Sequence, residues 1–183
     1  MESIIVQAHP DPDSFCSSIG MTAAECLPEA RIINLYRDGF SPVLTLDELR
    51  RRFPWENLAQ EYISAMEKAN RIVFVYPEWW GGPPAILKGF LDRILRPEIA
   101  YRFADDGSKK VHELWTHKTI VPVITTDSDP KKCAERSVAI WSTIADFCGT
   151  ALSDSIVFGP VYASTSRRRK EFLHYLTELL PTV

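Results

Sequence analysis

A chain of 183 residues is long enough for one well-buried core and gives no reason to expect a second, so residues 1–183 are read as a single domain. Its 21 basic and 24 acidic side chains leave a net charge of −3, which gives no electrostatic reason to expect nucleic acid or an anionic membrane surface as a partner. Four cysteines (Cys16, Cys26, Cys133, Cys148) with no CxxC pair and no clustered histidines exclude a zinc site and a redox dithiol, and most are read as reduced structural thiols.

No apolar run approaches the roughly 20 residues of a membrane-spanning helix, and the opening MESIIVQAHPDPD lacks the basic and long apolar regions of a signal peptide. The expected location is the cytoplasm, without membrane insertion. The expected partners are small molecules or a second copy of the chain.

In chain order, Ser3–Ala8 (SIIVQA) is a first strand, and HPDPDSFCSS after it has turn chemistry leading into a helix from Phe15 to Leu27 with Ser14 as N-cap. The first amides of that helix, on Phe15, Cys16 and Ser17, point back toward the loop and, with the helix dipole, make an anion site without any GxGxxG. Ala30–Leu35 is a second strand. Thr45 and Glu48 have the spacing of a capping box, and LDELRRRF and ENLAQEYISAMEKA form a helical region broken at Pro54. Its charges, Glu48, Arg50, Arg51, Arg52, Glu56, Glu61, Glu67 and Lys68, read as a solvated face.

The most informative stretch is Arg71–Phe103. Ile72–Tyr76 is a continuous β-branched and aromatic run, hence a strand buried on both faces. Pro77 ends it, and Gly81, Gly82, Pro83 and Pro84 hold off helix until Ala85, after which Ile86, Leu87, Phe90, Leu91, Ile94 and Leu95 form one helical stripe ending before Pro97. Between strand and helix stand two adjacent indoles, Trp79 and Trp80, in what ought to be a polar loop. At the carboxyl end of a buried strand, that pair reads as a platform for a flat aromatic ligand.

Arg102–His117 is irregular or a hairpin, with a turn at Asp105-Asp106-Gly107-Ser108, and its His112 and His117 read as structural. Lys118–Ile124 is a further buried strand carrying Pro122, followed by Thr125-Thr126-Asp127-Ser128-Asp129-Pro130. A helix from Pro130 to Phe147 would bury Val138, Trp141, Ile144, Ala145 and Cys148, with Gly149 as its C-cap. Ile156–Phe158 is the last strand, and Ser166 the expected N-cap of a terminal helix packing Phe172, Leu173, Leu176 and Leu180. The one basic run, Arg167–Lys170, lies on that helix's first turn, where cations oppose the dipole. It reads as a solvated face, the alternative being a landing site for an NADPH phosphate or a protein partner.

Pro77, Trp80, Pro84-Ala85-Ile86-Leu87-Lys88-Gly89, Asp92 and Arg93, followed by Ala100–Phe103, resemble the flavodoxin-like NAD(P)H:quinone oxidoreductases, with their bacterial relatives and the ancillary subunits of potassium efflux systems. The likeness extends through Ala8-His9-Pro10, Leu35–Pro42, Thr125-Thr126 and Phe147-Cys148-Gly149. It implies a flavodoxin-like three-layer α/β sandwich with a five-stranded parallel sheet in order 2-1-3-4-5, which sets the loops after strands one, three and four side by side. It also implies a homodimer. The cofactor the resemblance implies is FMN, with FAD the alternative, its phosphate on His9, Ser14, Phe15 and Cys16, where Cys16 stands in place of the family's usual Asn. The flavin ring is expected against Pro77, Glu78, Trp79, Trp80 and Gly81, with Thr125, Thr126 and Asp127 at its polar edge.

The implied activity is hydride transfer from NAD(P)H through the flavin to a quinone-like acceptor; the alternative is a flavin- or nucleotide-binding regulatory subunit of a potassium efflux system. The chain departs from the family where Asp127 and Ser128 replace two glycines. A carboxylate at 127 either turns away to cap the next helix or lowers the flavin potential. The family's Tyr and His proton relay has no counterpart, Cys133 and Ala139 falling near those places, so no catalytic acid is assigned.

Overall fold

The computed structural model describes residues 2–51, 56–106 and 111–183. Arg52 and Pro54 of the expected broken helix, and Gly107 and Ser108 of the expected turn, lie outside them. The strands are β1 (Ser3–Gln7), β2 (Arg31–Asn34), β3 (Arg71–Pro77), a small antiparallel hairpin of β4 (Tyr101–Phe103) and β5 (Val111–Glu113), then β6 (Thr119–Thr125), β7 (Ala151–Leu152) and β8 (Ile156–Phe158). The helices are α1 (Phe15–Cys26), α2 (Leu46–Arg51), α3 (Asn57–Lys68), α4 (Ala85–Ile94), α5 (Pro130–Cys148) and α6 (Ser166–Leu179).

The central sheet is parallel in the order β2-β1-β3-β6, with β7 and β8 both pairing to the outer side of β6. This is the expected order with the fifth strand split in two. Register supplies the reason: β7 pairs with Thr119 and Ile120, β8 with Val123 to Thr125, and Val121 and Pro122 are left between them. Pro122 has no N–H to give an outer strand, so the partner leaves the ladder at Ser153–Ser155 and rejoins beyond it.

The continuous apolar runs of β1 and β3 arise because both sheet faces are covered. Ile4, Val6, Ile72, Phe74 and Tyr76 point to the layer of α3, α4 and α5, while Ile5, Val73 and Val75 point to α1 and α6. Trp141 of α5 stacks on Phe74 at 4.5 Å between centroids and donates its indole N–H to Tyr76 Oη at 2.8 Å. The α5 stripe differs from expectation at one place: Val138 is 52% exposed, and the buried row is Cys133, Ser137, Trp141, Ala145 and Cys148.

Two further expectations are corrected. The capping box forms, with Thr45 N–H donating to Glu48 Oε2 and Glu48 N–H to Thr45 Oγ1, yet Glu48 is not solvated. Its other oxygen accepts from Arg93 at 2.6 Å in a buried pair, and Glu56 meets the same guanidinium at 2.8 Å, tying α2 and the start of α3 to α4. At α6 the N-cap is Thr165, whose hydroxyl accepts from Arg168 N–H, one residue earlier than expected.

Candidate functional site

Three segments meet at the carboxyl end of the sheet. After β1, the chain turns at Asp11, whose carbonyl accepts from the hydroxyls of Ser14 and Ser17 at 2.9 and 2.8 Å. Ser14 Oγ in turn caps α1 by accepting from Ser17 N–H at 3.1 Å. That leaves the amides of Phe15 and Cys16 donating to no acceptor among the described residues. Their side chains are turned inward. Phe15 packs on Phe158 at 4.7 Å, and the Cys16 thiol lies against Thr125, where burial pushes it up to about 12. With both side chains inward, any contact from 15 or 16 to the site is made by main chain.

His9 sits on the rim. Its Nδ1 lies 3.1 Å from Asp11 N and 3.2 Å from Asp11 O, so the ring is tied to the main chain of the first loop at that nitrogen. The His9 ring lies edge-on to Trp79 at 6.1 Å, joining the first loop to the second.

The second loop is a tight turn. Trp79 and Gly82 exchange both main-chain hydrogen bonds, at 2.9 and 3.1 Å, and the two central residues have positive φ, +53° at Trp80 and +79° at Gly81. This is the mirror-image turn that favours Asn-Gly, and a Trp in its first central position is strained. Trp79 is 42% exposed and Trp80 wholly so. Among the described residues the Trp80 and Gly81 amides donate to nothing. Strain of this kind persists where the surroundings hold it, and it concentrates at ligand sites.

Glu78, immediately before the turn, is fixed in place. Its carboxylate, only 7% exposed, accepts a two-pronged contact from Arg136 of α5 at 2.7 and 2.9 Å, with Thr126 and Ser128 hydroxyls donating at 2.7 and 2.9 Å. Arg136, paired at both oxygens, holds the carboxyl at about 2, well below its usual 4.5. Beneath it, burial pushes the Cys133 thiol up to about 12. Glu78 N–H also donates to Thr125 O at 2.7 Å, so the end of β3, just past Pro77, is clamped to the third loop by main chain and side chain together.

In that third loop, Thr125 and Thr126 are buried and Asp127 turns away, accepting from Tyr162 N–H at 2.7 Å. The α5 cap is Asp129 instead, whose carboxylate accepts from Lys131 N–H. The expected site residues thus converge at one end of the sheet, but Phe15 and Cys16 are buried, and Ser14, Glu78, Thr126 and Asp127 spend their side chains on contacts within the protein, Asp127 at its surface. His9, Trp79 and Trp80 present theirs outward.

Sequence reasoning missed Arg136 and Ser128; the basic run is solvated as expected at Arg167, Arg168 and Lys170, with Arg169 half-buried. Arg167 is exposed beside Glu171, but Arg168 lies over Phe158 and donates to Gly159 O, while Arg169 lies over Phe15 at 5.4 Å and donates to Ser164 Oγ and Val161 O. Cations on a helix's first turn are explained here by the loop carbonyls they satisfy, and Arg169 rests over the ring of Phe15, the first residue of α1. The charges alone gave the run, and the aromatic spacing of Phe15 and Phe158 gave no hint of the pairing.

A family described by its flavodoxin-like fold matches residues 1–180. A Haemophilus influenzae protein named as an uncharacterized NAD(P)H oxidoreductase is 29% identical, with 94% of this chain and 91% of that protein covered. The rat NAD(P)H dehydrogenase [quinone] 1 is 26% identical over 80% of this chain, which spans 64% of the rat enzyme's length. Among solved structures, the NAD(P)H:quinone oxidoreductase of Methanothermobacter marburgensis superposes with a TM-score of 0.76 at 22% identity, covering 100% of this chain and 98% of its own, which bears on fold alone.

Proposed function

The chain belongs to the flavodoxin-like NAD(P)H oxidoreductase family, and we propose that it is an enzyme of one domain that uses a bound flavin to pass reducing equivalents from NAD(P)H to a quinone-like acceptor. The observation that carries this reading is the outward Trp80, in a left-handed conformation within the turn that Trp79 and Gly82 close, with Trp79 against His9 and two turn amides unspent. A hydrophobic residue in that position costs stability in the free protein and has a use only if a flat ligand lies on it.

The donor set fits FMN. The amides of Phe15 and Cys16 and the positive end of α1 would take the phosphate. Trp79 and Trp80 would lie against the ring, with the Trp80 and Gly81 amides available to its polar atoms. A bound flavin supplies two-electron chemistry that no side chain here can perform. The protein orients and tunes: Glu78 is neutralised by Arg136, and Asp127 faces Tyr162, so neither leaves an unpaired carboxylate against the slot. His9, tied at Nδ1 to the Asp11 main chain, stands on its rim.

Visible absorbance of the purified protein tests cofactor uptake, and NADPH oxidation driven by menadione tests turnover. A yellow protein that oxidises NADPH supports the proposal; one that takes up neither FMN nor FAD removes it. We further propose a homodimer in the cytoplasm, the exposed Leu46, Leu49, Phe103 and Phe147 favouring a covering second copy. Among the described residues no helix is long and apolar enough to cross a membrane. Sedimentation at a mass of two chains is the expected result, and a monomer at micromolar concentration would remove the dimer.

A further inference from the structure

A fourth loop reaches the same end of the sheet. β8 runs parallel to β6 with Phe158 opposite Thr125, so residues 159–165 leave the sheet level with the third loop. Their main chain is fastened to it. Thr126 N–H donates to Phe158 O and Val161 N–H to Thr126 O, both at 3.0 Å. Gly159 permits the approach, since a Cβ there would stand 2.6 Å from Thr126 O. On the other side α6 holds the same segment: Arg168 donates to Gly159 O and Arg169 to Val161 O, each at 3.1 Å. Arg169 also lies over the ring of Phe15, the first residue of α1.

Tyr162 stands in the middle of this brace. Its N–H donates to Asp127 Oδ1 at 2.7 Å, yet its side chain is 92% exposed and makes no hydrogen bond or ring contact among the described residues. One exposed aromatic by itself is ordinary. Here, though, the main chain beneath it is ordered from both sides, at a cost in chain entropy that no packing of the Tyr162 ring offsets. Asp127, the carboxylate that stands in place of a family glycine, directs its hydrogen bond among the described residues to that one amide. A pinned backbone under a free aromatic is how a scaffold presents a side chain to something it binds.

We propose that residues 159–165 form a fourth wall of the flavin site, with Tyr162 touching the cofactor and Asp127 as its positioning residue. This role rests on the flavoenzyme reading. The wall runs from Thr126 to Phe15, between the residues assigned to the ring's polar edge and the amides assigned to the phosphate. A phenol suits that place, offering an aromatic face and a hydroxyl that both donates and accepts. The exposed Trp79 and Trp80 bring indole N–H donors but no acceptor, which the Tyr162 hydroxyl adds.

The test is equilibrium titration of the full flavin-free chain with FMN and with FAD, together with the melting temperature of each variant before flavin is added. Tyr162→Ala should melt with the wild type, because its side chain packs on nothing, and should bind flavin at least about tenfold more weakly. Asp127→Asn keeps an oxygen for the Tyr162 amide and should keep wild-type affinity, whereas Asp127→Ala should lose it. In the double variant Tyr162→Ala/Asp127→Ala the second change should cost nothing beyond the first, as for a residue that acts through another. Unchanged flavin affinity in Tyr162→Ala overturns the fourth wall and leaves the flavoenzyme reading intact. A further loss in the double variant, or an equal loss in Asp127→Asn, overturns the positioning role of Asp127. Should Asp127→Ala not fold, Tyr162→Ala and Asp127→Asn decide. A wild-type chain that takes up neither flavin removes the flavoenzyme reading and this wall with it.

Discussion

Trp80 and Glu78 carry opposite halves of the site's energetics. Trp80 occupies a backbone region that disfavours it by about 1–2 kcal/mol, so Trp80→Gly should leave the unfolding midpoint unchanged or raise stability by about 1 kcal/mol. The same change removes the ring's broad face, and flavin affinity should fall by about tenfold or more, read by titration with FMN. A variant that loses stability and keeps flavin would show that the indole is a packing residue. Glu78 offers a pH test with a defined sign. Its folded pKa of about 2 lies below the ordinary 4.5, so the clamp's contribution is complete above pH 4.5 and fades as pH falls toward 2. Melting curves of wild type and Glu78→Gln should therefore differ most at neutral pH and converge between pH 4.5 and 2. A difference that persists at pH 2 would place the effect elsewhere than in the ionised pair.

At the scale of elements, the helix α4 is seated by a glycine. A Cβ on Gly89 would stand 2.5–2.6 Å from Pro42 Cβ and Cα and nearer still to its carbonyl oxygen, so the Lys-Gly of the sequence motif exists to let α4 touch the loop after β2. Gly89→Ala should cost about 2–3 kcal/mol and lower the melting temperature by roughly 5–10 °C in calorimetry. An unchanged melting temperature would mean that the loop yields freely. Most elements were legible because their signals are local: the double-sided apolar runs of β1 and β3, the Thr45–Glu48 cap, and the proline and glycine brackets around Trp79 and Trp80. Other features have no local signal. Helical periodicity marked α5 as amphipathic but could not say that Ser137 rather than Val138 faces inward, since neighbouring positions flank the same stripe. Glu78 and Arg136 are 58 residues apart, and only the parallel pairing of β3 with β6 brings α5 over the turn. The split of the fifth strand needed the register that sets Pro122 against nothing.

For the whole molecule, the sheet order brings the loops after β1, β3 and β6 to one end, and the clamps among them are what distinguish a site from three adjacent loops. Main chain and outward aromatics face solvent there, while most polar side chains are consumed in holding the backbone still. A scaffold of that kind suits a cofactor that brings its own reactivity. The most direct measurement is a titration of the flavin-free protein with FMN, following tryptophan emission together with the flavin's visible band. Saturation at one FMN per chain, with emission quenched in wild type and the quench largely lost in Trp80→Gly, is the outcome this structure predicts. Unquenched emission and an unperturbed visible band, with FMN and with FAD alike, would contradict it.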